Sequence, residues 1–127
     1  MIAPGHAQRN IVYAIHNGKE HELIVDTIPK DVKLVVAPDS SSNDYEQHKI
    51  LKEQGIDVLV LDHHEAEKVS EYACVINNQL SKNYSNKNLS GVGVVYKFCQ
   101  YIDKICNLEY ADNLLDLVAV GLEIKLA

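Results

Sequence analysis

The fold is decided by two stretches, Lys-Leu-Val-Val-Ala-Pro-Asp at residues 33–39 and Asp-Val-Leu-Val-Leu-Asp-His-His at residues 57–64. Each stretch starts with an apolar run of strand length, at 33–37 and 57–61, and each run stops at polar residues. A shorter run at 73–76 is similar. Continuous apolar runs of this length are typical of strands buried on both faces of a parallel sheet. We therefore predict an α/β fold built from Rossmann-like βαβ units.

Helical patterns lie between and after these runs, as a parallel sheet requires. The C-terminal part of the chain has apolar residues at helical spacing. Turn residues, helix caps and apolar spacing predict the remaining elements, which are a strand at 10–16 and helices at 19–28, 44–54, about 91–106 and about 109–122.

The composition is that of a folded domain with an acidic balance. Hydrophobic residues make up 46% and charged residues 24% of the 127 positions, which weighs against general disorder. A formal net charge of −6 weighs against a broad basic surface for duplex DNA. It leaves room for a nucleic acid that is held locally, above all where metal ions supply positive charge.

Localisation is predicted from what the sequence lacks. No apolar run approaches the roughly 20 residues that cross a bilayer, and the N-terminus does not resemble a signal peptide. The cysteines Cys74, Cys99 and Cys106 have no metal-binding spacing and are predicted to be buried, reduced thiols. We therefore expect a cytoplasmic protein with no membrane partner.

Candidate chemistry lies where the two long apolar runs stop. Asp39 follows the first run, and Asp62, His63 and His64 follow the second. Ligands of open parallel sheets bind beyond the carboxyl ends of the strands, and neighbouring strands lie about 4.8 Å apart. Side chains at both tips can therefore reach one divalent cation such as Mn²⁺, Zn²⁺ or Co²⁺. Such an ion neutralises phosphate charge and activates water, although each aspartate alone is also a common turn or cap residue.

Two further segments have more than one interpretation. Ser90-Gly91-Val92-Gly93 opens the helix at 91–106, and its backbone N–H groups are candidates to face an anion. An ordinary helix start with glycines for close packing explains the same residues. His16, His21 and His48 have no partner at ligand spacing and are predicted to lie at the surface.

The motifs resemble those of the DHH phosphoesterases, and most of all RecJ-type single-strand exonucleases and their phage or prophage variants. Val-Leu-Asp-His-His-Glu at 60–65 is similar to the family signature, and a strand-end aspartate precedes it at 39. Further similar segments occur in family order, namely Val-Ile-Asn-Asn at 75–78, the glycine-containing helix start at 89–97 and Leu-Asp-Leu-Val-Ala-Val-Gly at 115–121.

The resemblance implies a role for each motif residue. Asp39 would bridge two divalent ions, expected to be Mn²⁺ with Mg²⁺ or Co²⁺ as alternatives, and His63 would be a direct metal ligand. His64 would act catalytically at the scissile phosphate or contact a metal, and Asp62 would support the site. The implied neighbours of the substrate phosphate are Ser90, Gly91 and Gly93.

The resemblance also implies that residues 1–127 are a partial DHH domain. The family's first metal motif, an Asp-x-Asp cluster, is missing, and Lys125 stands where the last ligand should be an aspartate. The second domain, which grips the nucleic acid, is absent as well. A piece of a longer enzyme and a degenerate relative both explain these departures, and we favour the first.

The implied function is metal-dependent phosphodiester hydrolysis by a 5′–3′ exonuclease acting on single-stranded DNA. The chain alone is expected to bind Mn²⁺ weakly and to be inactive. The alternatives are a phosphodiesterase for short oligoribonucleotides or cyclic dinucleotides, and a non-catalytic phosphate-binding relative. The oligomeric state is left open by the sequence.

Overall fold

The computed structural model describes residues 11–14 and 22–126, without the side chains of 122–126. Short 3-10 helices occur at Val25–Thr27 and Ala111–Leu114. The strands and α-helices, in chain order, are β1 (Leu34–Pro38), α1 (Tyr45–Glu53), β2 (Asp57–Asp62), β3 (Cys74–Asn77), α2 (Gly91–Cys106) and α3 (Leu115–Leu126).

The three strands form one parallel sheet in the order β1-β2-β3. Pro38 lies opposite Leu61, and Asp62 lies opposite Asn77, so all three strands end at the same edge. Helix α1 connects β1 to β2 as in a βαβ unit, whereas irregular residues 63–73 connect β2 to β3. The predicted α/β class and the parallel pairing of the two long runs are confirmed.

The core lies between α1 and one face of the sheet. Leu51 of α1 packs on Val58 and Val60 of β2, and all three side chains are at most 3% exposed. Burying an aliphatic side chain of this size stabilises a fold by about 1.5–3 kcal/mol. This packing fixes α1 against β2 and thereby fixes the loop that leads from β1 into α1.

The other face of β1 and β3 is exposed in the part of the chain that the structure describes. Leu34 and Val36 alternate with less exposed residues in β1, as Cys74 and Ile76 do in β3. Only β2 comes near to the predicted burial on both faces, because it is the central strand and α2 packs against it. The apolar runs therefore predicted the strands correctly but overstated how far the outer ones are buried.

The exposed sheet face also corrects the prediction for the cysteines. Cys74 is exposed because it lies on that face, Cys106 is exposed at the end of α2, and Cys99 is half-buried. All three are free thiols, as expected. Their apolar sequence neighbours did not reveal which side of each element is covered.

The N-terminal predictions were less successful than those for the C-terminal helices. Only residues 11–14 of the strand at 10–16 are described, and they have no regular structure. The described part of the helix at 19–28 contains a 3-10 turn at Val25–Thr27 in place of an α-helix, and the backbone N–H of Leu23 donates to the Asp44 carboxylate at 2.9 Å. The helix at 91–106 is confirmed, and the last predicted helix divides into a 3-10 turn and α3. None of the described helices is long and apolar enough to cross a membrane.

Candidate metal centre

Four side chains at the carboxyl edge of the sheet converge as the strand-end rule predicts. The Oδ1 atom of Asp39 lies 3.0 Å from Nε2 of His63, which confirms that the tips of β1 and β2 meet. A set of ligand atoms, one from each residue, lies within 4.8 Å of one another in Asp39, Asp62, His63 and His64. This group of two carboxylates and two imidazoles could hold a divalent ion.

Asp39 is positioned by its backbone and by a glycine of α2. Its N–H donates to the carbonyl of Leu61 at 2.7 Å, which extends the β1–β2 pairing past Pro38. Its φ of 57° lies in the left-handed region, which aspartate tolerates better than most residues. A Cβ atom at Gly91 would overlap the Asp39 carboxylate, so this glycine allows α2 to start directly beside the site.

Asp62 is the buried anchor of the centre. One of its oxygens accepts from the backbone N–H groups of His63 and His64, at 2.8 and 3.3 Å, and lies 2.6 Å from Nδ1 of His64. The other accepts from the backbone N–H of Ser42 at 3.2 Å. Burial raises the pKa of Asp62, but hydrogen bonds from Ser42, His64 and His63 outweigh it and hold the pKa below its ordinary value. The residue is therefore a carboxylate that orients the His64 ring.

The two histidines and Asp39 form the accessible side of the centre. The side chain of His63 is 20% exposed, and those of His64 and Asp39 are 51% and 62% exposed, whereas Asp62 is 1% exposed. The two imidazole centroids lie 4.5 Å apart with a 49° tilt. A ligand from solvent can therefore reach Asp39, His63 and His64 while Asp62 supports them from beneath.

Asn77 and Ser42 were not identified as site residues from the sequence. The Asn77 amide, almost fully buried at the tip of β3, donates to Oγ of Ser42 and to the carbonyl of His64, both at 2.8 Å. It therefore ties together the loops that follow β1 and β2. The sequence did offer a signal for Asn77. It follows the third apolar run as Asp39 and Asp62 follow the first two, and ligands of parallel sheets bind at the carboxyl ends of the strands.

The predicted phosphate turn lies beside the centre at the start of α2. The Oγ atom of buried Ser90 accepts from the N–H of Gly93 at 3.2 Å, which makes Ser90 the helix N-cap. Gly91 packs against Asp39, and a Cβ at Gly93 would press on Leu89. Close packing thus accounts for both glycines, and contact of Ser90, Gly91 and Gly93 with a phosphate stays a prediction. Lys125 lies in α3, and its side chain is outside the described residues.

Comparison with known proteins identifies the family. The model of the DHH family, N-terminal domain, matches residues 4–122. The chain is 54% identical over 112 residues to YorK of Bacillus subtilis (strain 168), a prophage-derived protein assigned as a single-strand DNA-specific exonuclease. It is 36% identical over 90 residues to the single-stranded-DNA-specific exonuclease RecJ of the same strain, and 34% over 105 residues to RecJ of Haemophilus influenzae.

These alignments cover 88%, 69% and 74% of the chain, respectively, but only 19%, 11% and 18% of the relatives. The chain thus spans about a fifth or less of the length of the curated relatives that it matches. No solved structure matches it. With a family model that covers nearly its whole length, the chain belongs to the DHH family, whose N-terminal domain its residues 4–122 match.

Proposed function

We propose that this domain supplies part of the metal centre of a 5′–3′ exonuclease that hydrolyses single-stranded DNA. The observation that carries the proposal is the convergence of two carboxylates and two imidazoles within 4.8 Å at the edge where parallel sheets bind ligands. The identity to YorK and RecJ, both named for single-stranded DNA, favours that substrate. Because the chain covers so little of these relatives, residues 1–127 are proposed to be a partial catalytic domain.

The donor set fits a divalent cation held by Asp39 and His63. Their ligand atoms are 3.0 Å apart, and both residues reach solvent. A carboxylate with an imidazole suits Mn²⁺, our proposed ion, while Mg²⁺ and Co²⁺ are alternatives. When bound, such an ion would neutralise phosphate charge and make water a stronger nucleophile near neutral pH. Two ligands hold an ion only loosely, so the chain alone should bind Mn²⁺ weakly.

The other site residues are proposed to act on the substrate phosphate. His64 is oriented by Asp62 at 2.6 Å and half-exposed, which suits a hydrogen bond or proton transfer to a phosphate oxygen. Helix α2 directs its N-terminus at the same place, because Gly91 lies against Asp39. The helix dipole favours an anion there, and we propose that Ser90, Gly91 and Gly93 line the phosphate, although the N–H of Gly93 already donates to Oγ of Ser90.

The test grafts this domain into a full-length relative. YorK, with the region that aligns to this chain replaced by the 112 aligned residues of this chain, is assayed on 5′-labelled single-stranded DNA with Mn²⁺. The graft should degrade the DNA, and His63→Ala should reduce the rate by more than about 100-fold, since residues that merely support metal ligands already contribute about 10–100-fold. Glu53→Gln, an exposed change at the far end of α1, is the control and should be neutral.

The outcomes separate the proposals. An active graft in which His63→Ala retains full activity would refute the metal role of that residue. Cleavage of short oligoribonucleotides or cyclic dinucleotides, without cleavage of DNA, would establish the alternative substrate class. The isolated 127-residue chain should show no appreciable nuclease activity. Robust cleavage by that chain, abolished by a chelator, would show that the domain is not partial.

A further inference from the structure

A buried histidine links the two loops that carry the metal centre. His48 of α1 is 0% exposed, and both nitrogens of its ring are close to serine hydroxyls. Nε2 lies 3.1 Å from Oγ of Ser41, in the loop that follows Asp39. Nδ1 lies 2.9 Å from Oγ of Ser70, in the loop that follows His64. One imidazole thus joins the segments that leave β1 and β2.

The hydrogen-bond partners determine one arrangement of protons in this network. The Ser41 hydroxyl donates to the Asp44 carboxylate at 2.8 Å, so toward His48 its oxygen acts as acceptor and Nε2 must donate. A neutral ring then has an unprotonated Nδ1, which accepts from the Ser70 hydroxyl. Burial lowers the pKa of His48 despite the opposing effects of Asp44 and Ser41, in keeping with a neutral ring.

The loop that this network holds is not in a relaxed conformation. Ser41 has a φ of 80°, and Asp39 has a φ of 57°. Serine has little intrinsic preference for the left-handed region, so surrounding contacts must maintain that conformation. His48 and Asp44 bind the Ser41 side chain, while Asp62 accepts from the N–H of the next residue, Ser42.

We propose that His48 is a positioning residue of the metal centre. Through Ser41 it holds the turn that presents Asp39, and through Ser70 it holds the segment that follows His64. The carboxylate of Asp39 therefore lies in contact with the His63 ring even when no ion is bound. The inference rests on the proposed metal site, and it distinguishes His48 from a histidine that only fills the core beneath α1.

The first experiment needs no metal. Amide hydrogen exchange of the 127-residue chain is compared between wild type, His48→Leu and Leu51→Val, the last at an equally buried position of α1. In His48→Leu, exchange of the Asp39 and Ser42 amides should accelerate at least about tenfold relative to the Val60 amide. The loop can then open locally without breaking the hydrogen bonds that His48 makes in the wild type. Leu51→Val should accelerate all three amides together. Equal acceleration in both variants would overturn the positioning role.

The second experiment measures Mn²⁺ affinity by water-proton relaxation. His48→Leu should weaken binding about tenfold or more, as is typical for residues that orient ligands, while Leu51→Val should leave affinity unchanged. His48→Gln, which keeps one polar atom for Ser41, should restore part of the affinity. Ser70→Ala, which retains the imidazole, keeps the test decisive if His48→Leu does not fold, and should weaken binding in the same direction.

The measurements distinguish failure of this inference from failure of the metal site. Wild-type affinity in both His48→Leu and Ser70→Ala would overturn the positioning role and leave the metal centre standing. Absence of any Mn²⁺ binding by the wild type, at concentrations that saturate other weak sites, would overturn the metal centre and with it the role of His48 toward an ion.

Discussion

Replacing Asp62 by asparagine tests whether a buried carboxylate anchors the centre. Asp62 accepts from three backbone N–H groups and lies against the His64 ring, with one oxygen serving Ser42 and the other serving His63 and His64. An asparagine has one oxygen and one NH₂ group, so in either orientation an NH₂ group faces backbone donors. The substitution therefore removes at least one hydrogen bond and weakens the rest.

The expected loss follows from the number and kind of these bonds. A hydrogen bond to a charged group contributes about 1.5–3 kcal/mol, and a buried donor left without an acceptor costs a similar amount. Losing one such bond and weakening three predicts that Asp62→Asn lowers the free energy of unfolding by about 2–4 kcal/mol. Because total stabilities are about 5–15 kcal/mol, the variant should still fold.

The assay is urea unfolding at neutral pH with a chelator present, so that bound metal does not contribute. At neutral pH Asp62 contributes its full stabilising effect. The pKa of Asp62 is lower in the folded chain than in the unfolded chain, so this effect is present above the unfolded pKa and is lost as the pH falls through the folded pKa. Asp57→Asn is the matched control. Asp57 begins the same strand, its side chain is 72% exposed, and its ion pair with Lys52 contributes about 0–1 kcal/mol. Equal losses in the two variants would refute the anchoring role.

Two more predictions concern residues that pack around the centre. Gly91→Ala should displace the Asp39 carboxylate and weaken Mn²⁺ binding about tenfold, as the loss of an orienting contact typically does. The free energy of unfolding should change by less than about 1 kcal/mol. Unchanged Mn²⁺ affinity in a water-proton relaxation titration would contradict this prediction. Burial lowers the pKa of His48 in the folded chain. Below about pH 6.5 the imidazole of His48 is therefore protonated in the unfolded chain more readily than in the folded chain. Stability should therefore fall from about pH 7 to pH 5, by at most about 1.4 kcal/mol per unit, and this component should vanish in His48→Gln. Parallel pH profiles of the two proteins would contradict the prediction.

The parts of the fold that could be predicted depend on short-range patterns. Apolar runs ending in polar residues identified β1 and β2, and their ends lie within one residue of the prediction. Because parallel strands end at one edge of a sheet, the same pattern brought Asp39 and His63 together without knowledge of any contact. The family motifs then added roles for these residues, and those roles still require the experiments above.

The residues that were missed depend on which side of an element faces the core. His48 lies in a mostly polar helix, and its neighbours in sequence gave no reason to bury it. Its position three residues before Leu51 places both on one helix face, and that face packs on β2. The opposite error occurred at Cys74, which has apolar neighbours but lies on the exposed face of β3. Neither outcome follows from the local pattern, because burial is decided by tertiary packing.

The candidate metal centre brings together two carboxylates that repel each other when no cation lies between them. The ligand atoms of Asp39 and Asp62 lie within 4.8 Å of each other in a chain of net charge −6, and two carboxylates at this distance repel. The described residues counter the repulsion with three backbone N–H groups on Asp62, the His63 ring at Asp39 and the N-terminus of α2 beside it. The left-handed conformation of Ser41 adds backbone strain. Strain and repulsion at one place, maintained by buried polar groups such as Asn77 and His48, support the proposal that a cation binds here.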